Sequence, residues 1–118
     1  MSEPLLRAVD AVTFTVPTLD VGLSFYGDLL GHEVLWRNDA VGQVGLRCPD
    51  SETEIVLSTT LPAEANWLVN SADRAADIVQ AGGRLVTEIR NIPVGRVAIV
   101  EDPFGNRLVL VDLSKGRY

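Results

Sequence analysis

Few side chains in this chain of 118 residues have types and spacing that suit chemistry. Glu54 leads into the apolar run Ile55-Val56-Leu57. A carboxylate there could act as a general base if buried, because burial raises a carboxyl pKa toward neutrality. Its plainer reading is a solvated edge residue after the turn Ser51-Glu52-Thr53. Glu101, just before Asp102-Pro103, reads as a charge at a strand end. The one histidine, His32, follows a helix stop, and nothing near it in sequence completes a triad. The one cysteine, Cys48, precedes Pro49 without a C-x-x-C partner and reads as an inert thiol. Trp36 and Trp67 read equally as core or as stacking surfaces for a flat ligand, with Arg47, Arg96 or Arg107 able to pair with an anionic group. The Gly82-Gly83 pair ends a helix instead of starting one, so it is a turn and not a phosphate loop.

Short alternating elements must position these residues. Val12, Phe14 and Val16 point one way along a strand from Val9 to Val16, and Ala11, Thr13 and Thr15 the other. Pro17 ends that strand, and Thr18 is placed to cap a helix from Leu19 to Leu30. Its apolar stripe is Leu19, Leu23, Tyr26 and Leu30, with Phe25 and Leu29 beside it. Gly22 and Gly27 weaken the helix, so packing must hold it. Gly31 stops it. Strands are expected at about His32–Arg37, Gly42–Arg47 and Glu54–Thr59, with turns at Asn38-Asp39 and Pro49-Asp50-Ser51. The second half runs in the same order. A strand at Ala65–Val69 leads to Ser71 as cap, a helix from Ala72 to Ala81, and strands at about Arg84–Glu88, Arg96–Glu101 and Arg107–Asp112. In the last turn Gly105 and Asn106 are both expected to take positive φ. Gly31 falls on Gly82 at a shift of 51, and Glu54-Ile55-Val56-Leu57 on Arg107-Leu108-Val109-Leu110 at a shift of 53. The chain is therefore an internal duplication of about 50 residues.

A chain of this length reads as one domain, residues 1–118, with modules at about 9–59 and 65–113 joined by a linker at 60–64. A net charge of −6 disfavours nucleic acid and anionic membrane as partners. The lone cysteine fits a reducing compartment. The opening Met1-Ser2-Glu3-Pro4 lacks the basic and apolar regions of a secretion signal, and no apolar run approaches a membrane span. A cytoplasmic location is the expectation.

Two stretches carry a resemblance. The first is Val12-Thr13-Phe14-Thr15-Val16-Pro17-Thr18-Leu19-Asp20 with Phe25-Tyr26 and Leu30-Gly31-His32-Glu33-Val34. The second is Ala81-Gly82-Gly83-Arg84 with Gly95-Arg96-Val97-Ala98 and Asp102-Pro103-Phe104-Gly105-Asn106. From about Val9 to Leu113 the chain resembles the vicinal oxygen chelate superfamily, which includes glyoxalases, bleomycin-resistance proteins and extradiol dioxygenases. The resemblance implies an α+β fold of two βαβββ modules, whose curved mixed sheet forms a cup with the helices outside. Strand alternation then turns Ile55, Leu57, Leu108 and Leu110 toward the helices. It turns Ala11, Thr13, Thr15, Glu54, Val56, Ser58, Arg107, Val109 and Val111 into the cup, which Trp36 and Trp67 border.

The family's metal enzymes hold a divalent ion at four strand positions. The resemblance places these at Ala11, at Val56, near Ala63–Ala65 where Glu64 is the one potential ligand, and at Val109. Methyl groups cannot coordinate a metal. The expectation is no metal and no cofactor. The preferred reading is a metal-free member that binds an organic small molecule in the cup, as drug-sequestering and sensor proteins of the superfamily do. Its expected lining is Thr13, Thr15, Trp36, Arg47, Glu54, Val56, Ser58, Trp67, Arg96, Arg107 and Val109. One alternative is a superfamily enzyme (lyase, isomerase or dioxygenase) with a displaced metal site or acid–base chemistry at Glu54. The other is an interaction domain with a filled cup. The resemblance also implies a homodimer, with Thr59-Thr60-Leu61-Pro62-Ala63-Glu64 as the hinge if modules are exchanged.

Overall fold

Strand β1, Ala8–Thr15, runs parallel beside β4, Glu54–Ser58; β3, Gln43–Arg47, and β2, Val34–Asn38, extend that sheet antiparallel in the order β2-β3-β4-β1. The computed structural model describes residues 3–116. It divides into a unit of residues 10–64 and a unit of the residues up to Val9 with those from Ala65 onward.

In the first of these, period-2 alternation sends Val12, Val44, Leu46, Ile55 and Leu57 to one face, where they pack with Val16 and with Leu19 of helix α1, Leu19–Leu23. Thr18 caps α1 as its type predicts, its Oγ1 accepting the Val21 N–H at 3.1 Å. Gly22 is close packing made visible. A Cβ there would lie 2.9 Å from Val16 Cγ1 and 3.1 Å from Leu57 Cδ1, so only glycine lets the helix settle on the sheet. Its helix penalty of about 1 kcal/mol is smaller than the roughly 1.5–3 kcal/mol that each buried side chain such as Leu57 contributes.

The helix expected to reach Leu30 does not stay α-helical. Ser24–Leu29 is a π-helical segment, which adds a residue to the turn and advances every later side chain out of the stripe. Leu29 and Leu30 are consequently 71% and 50% exposed, not packed. Tyr26 stays against the core edge and stacks on Phe14, with centroids 5.6 Å apart.

The other unit follows the same plan. Strand β5, Glu64–Leu68, is parallel to β8, Arg107–Asp112; β7, Gly95–Glu101, and β6, Arg84–Ile92, follow antiparallel in the order β5-β8-β7-β6. Ser71 caps the helical stretch through the Asp73 N–H at 3.2 Å. That stretch is a 3₁₀ turn, Ala72–Arg74, and then α2, Ala75–Gln80, where one α-helix was expected. The Ala72 N–H is taken by the buried Asp112 carboxylate at 2.7 Å. Leu110 and Leu108 face the helix with Ala98, Val100, Ala72 and Ala75, while Val109 and Val111 face away with Val97 and Ile99. Strand phase in β1, β4 and β8 is as the alternation predicts. β6 runs four residues past its expected end at Glu88, with two register shifts along it.

The turn into β8 uses one positive φ, +91° at Gly105; among the described residues no non-glycine has one, which corrects the expectation for Asn106. Asn106 works through hydrogen bonds instead. Its side-chain amide and its N–H donate to Asp102 at 2.8 and 2.9 Å, and the Phe104 N–H adds a third at 2.8 Å. Led by the Asn106 amide, these outweigh desolvation and hold the Asp102 carboxyl below its ordinary pKa. Two βαβββ units with mixed sheets make the fold α+β, as the sequence led us to expect. Among the described residues no helix is long and apolar enough to cross a membrane.

Candidate functional site

On the face of the β2-β3-β4-β1 sheet away from its helix, register lines up Trp36, Gly45, Val56 and Thr13 in one row. Gly45 is the residue that makes the row unusual. A Cβ on it would collide with the Trp36 indole, reaching Nε1 and Cε2 and coming within 2.8 Å of Cδ1. The indole therefore packs directly against the Gly45 backbone. Glycine in the middle of a strand marks such a close approach, so this platform had a signal in the sequence that reading by residue type passed over.

The next row is Arg47, Glu54 and Ala11. Glu54 reaches back to the platform, where the Trp36 Nε1–H donates to its Oε1 at 2.7 Å. Both residues are half-buried. An indole N–H can only donate and a carboxylate can only accept, so this bond orients both groups. The face thus carries an indole and a fixed carboxylate, both half-buried, in rows with the buried side chains of Ala11 and Val56.

Other expected lining residues have different employment. Ser58 is fully buried, and its Oγ accepts from the N–H groups of Thr60 and Leu61 at 3.2 and 3.0 Å. The Thr15 hydroxyl donates to the Leu61 carbonyl at 2.9 Å. Both hydroxyls secure the turn after β4. Thr13 is buried in the Trp36 row. Arg47 shares the Glu54 row, but its guanidinium is exposed and pairs with Glu33 at 3.3 Å. His32 contacts the Arg47 carbonyl through Nδ1 at 2.9 Å, and Cys48 lies at the edge of the helix-side core.

In the unit from Ala65 onward two expectations are corrected. Trp67 lies opposite Leu110 and packs in the helix-side cluster, because register sets Asn66, not Trp67, across from Val109. Arg96 also turns to the helix side, in phase with Ala98 and Val100. It binds Asp73 at 3.0 Å, the Ser71 hydroxyl at 3.1 Å and Asp112 at 3.2 Å. The Arg96 hydrogen bond and charge hold the Asp73 carboxyl below its ordinary pKa, and Arg96 itself is raised, chiefly by Asp73. Burial pushes the Asp112 carboxyl up, but hydrogen bonds from Ala72 and Ser114 and the Arg96 charge outweigh it and leave it lowered. This is a clamp on the helix start, not a ligand site. Arg107 has the phase of Val109 and is exposed opposite Glu101, which itself pairs with Arg84 at 2.7 Å. The row through Val109 is Asn66, Val109, Ile99 and Thr87, and the buried Asn66 Oδ1 and Thr87 Oγ1 at its ends have no hydrogen-bond partner.

The residues that the resemblance places at the family's metal positions do not fit a metal. Ala11, Val56 and Val109 are 5%, 9% and 5% exposed and present only hydrocarbon. Glu64, the first residue of β5, is the one carboxylate at these positions. Among the described residues, no group of three or more His, Cys, Asp or Glu side chains could hold an ion.

The family model of the glyoxalase/bleomycin resistance protein/dioxygenase superfamily matches residues 8–110. No curated protein matches the chain by sequence. Similar solved structures include methylmalonyl-CoA epimerase from Mycobacterium tuberculosis, at 23% identity and TM-score 0.75, covering 97% of this chain and 93% of that one. A Streptomyces coelicolor methylmalonyl-CoA epimerase variant in complex with 2-nitronate-propionyl-CoA gives 22% identity and TM-score 0.71, covering 92% and 99%. A hypothetical protein from Bacillus halodurans gives 16% and 0.72, covering 93% and 96%. At these identities the likeness is one of fold.

Proposed function

The chain belongs to the glyoxalase/bleomycin resistance protein/dioxygenase superfamily, and from that premise we propose that it binds a flat organic molecule without a metal, on the Trp36 face of its first sheet. The observation that carries the proposal is the indole packed against Gly45 and fastened to Glu54. Aromatic stacking supplies affinity, and the fixed carboxylate selects a ligand with a donor at its edge. The methyl groups at Ala11 and Val56 put hydrocarbon where the resemblance places metal donors. Calorimetric titration against planar aromatic antibiotics tests this, with the Trp36→Ala variant losing the heat of binding. Stoichiometric metal in the purified protein, lost in Glu54→Gln, would overturn it. A panel without binders would favour the interaction-domain reading, which the apolar cluster of Val97, Ile99, Val109 and Val111 already supports for the second unit. The homodimer and cytoplasmic expectations belong to the same proposal; sedimentation equilibrium measures the first, and fractionation the second.

One observation favours a second reading. A half-buried carboxylate oriented by a hydrogen bond is placed as a general base should be, and the fold is shared with epimerases of a CoA thioester. On this reading Glu54 removes the acidic proton beside a thioester carbonyl. Deuterium uptake into methylmalonyl-CoA in heavy water, abolished in Glu54→Gln, would establish it. Absence of uptake would count against it.

A further inference from the structure

We propose that the groove between α2 and β6 is a second binding site, specific for a small amphipathic organic cation with an apolar body and one ammonium group. The groove lies within the unit from Ala65 onward and has a volume of about 660 Å³, inside the range of roughly 300–1,000 Å³ typical of small-molecule sites. It shares no residue with the Trp36 face and does not depend on the function proposed there.

Two sequence features create it. Helix α2 carries Ala75 and Ala76 where it meets β6, and residues this small leave depth that a leucine would fill. β6 continues to Ile92, so Ile89 extends the wall beyond the expected strand end at Glu88. The walls are Val79, Leu85 and Ile89, which are 41%, 43% and 38% exposed. Three large apolar side chains converging on one concavity leave hydrocarbon in water that a ligand body would cover.

The charges lining the groove decide the ligand. They are Asp73 and Glu88, both carboxylates, and no lining residue is basic. Asp73 already holds Arg96 at 3.0 Å. Glu88 has no ion-pair partner among the described residues, so its charge is open to a ligand. An anion would meet uncompensated repulsion there. An ammonium meets an acceptor at the rim while its apolar part rests on Ala76, Val79 and Ile89. The excess of acidic residues over the whole chain, net −6, favours the same sign of ligand.

Phenethylammonium, 2-phenylethanol and 3-phenylpropionate share one apolar body and differ in charge, so titrating each by two-dimensional amide NMR tests the proposal. Phenethylammonium is expected to bind with a Kd of about millimolar order and to shift the amides of α2 and β6. The alcohol should bind about three- to five-fold more weakly, and the anion not measurably. Glu88→Gln, at an exposed position, should bring the ammonium down to the level of the alcohol and leave the alcohol unchanged. Val79→Arg should abolish both, and Trp36→Ala should change neither, which separates this site from the other face. Equal binding of ammonium and alcohol by the unaltered protein, or shifts clustered away from the groove, would overturn the proposal.

Discussion

Gly45→Ala is the sharpest test of how the Trp36 platform is built. The added methyl would occupy the space of the indole ring, so Trp36 must lift away and its 2.7 Å bond to Glu54 must break. A hydrogen bond to a charged group contributes about 1.5–3 kcal/mol. Against that, replacing glycine by alanine stiffens the unfolded chain and returns about 0.4–1 kcal/mol. The expected net loss is about 1–2 kcal/mol, or roughly 4–8 °C in Tm for a domain of this size. Thermal denaturation measures it, and Trp36 emission in a Trp67→Phe background reports whether the indole has moved. A second background sharpens the comparison. In Trp36→Ala there is no ring to displace, so adding Gly45→Ala should cost nothing or stabilise by about 0.4–1 kcal/mol. If Gly45→Ala costs the same in both backgrounds, the glycine serves the strand and not the indole, and the account of the platform is wrong.

Three further outcomes are expected. Asp112→Asn should lower stability by about 2–3 kcal/mol in urea denaturation, because Arg96 loses its buried counter-charge and the start of the second helical stretch keeps only part of its cap. The same carboxyl sets an acid limit. Its folded pKa lies below the ordinary aspartate value of 3.8, so its contribution is complete above that pH and is lost as pH falls through the lower folded value. The fall in Tm below about pH 4 should therefore be shallower in Asp112→Asn than in the unaltered protein; Asp73 and Asp102 are lowered too, but they are solvated and add little. Thr18→Ala should cost about 1 kcal/mol, seen as a Tm lower by about 4 °C, with Thr18→Ser restoring most of it.

Period and punctuation made most of the fold legible from the residues. Alternation in Glu54–Ser58 and Arg107–Asp112 assigned the inward and outward faces, and the structure keeps that phase. Thr18 and Ser71 announced helix starts because a hydroxyl at an N-cap satisfies a local N–H, an interaction that needs no distant partner. That Ala11, Val56 and Val109 cannot coordinate a metal was likewise a matter of residue type, since a methyl group has no lone pair wherever it lies. Tertiary structure decided what depends on register and on contacts distant in sequence. Pairing of β5 with β8 put Asn66 across from Val109 and sent Trp67 to the core, a one-residue difference that reverses the face. The phase of Arg96 with Ala98 and Val100, together with the position of Asp112 beneath the helix start, turned a candidate ligand residue into a clamp. The π-helical segment exposed Leu30, which the 3.6-residue period had placed in the stripe, and Leu29, which it had placed beside it. Trp36 became a platform because β2 and β3 bring it onto Gly45 with Glu54 within hydrogen-bond reach, a convergence of three strands that no single stretch of the chain contains.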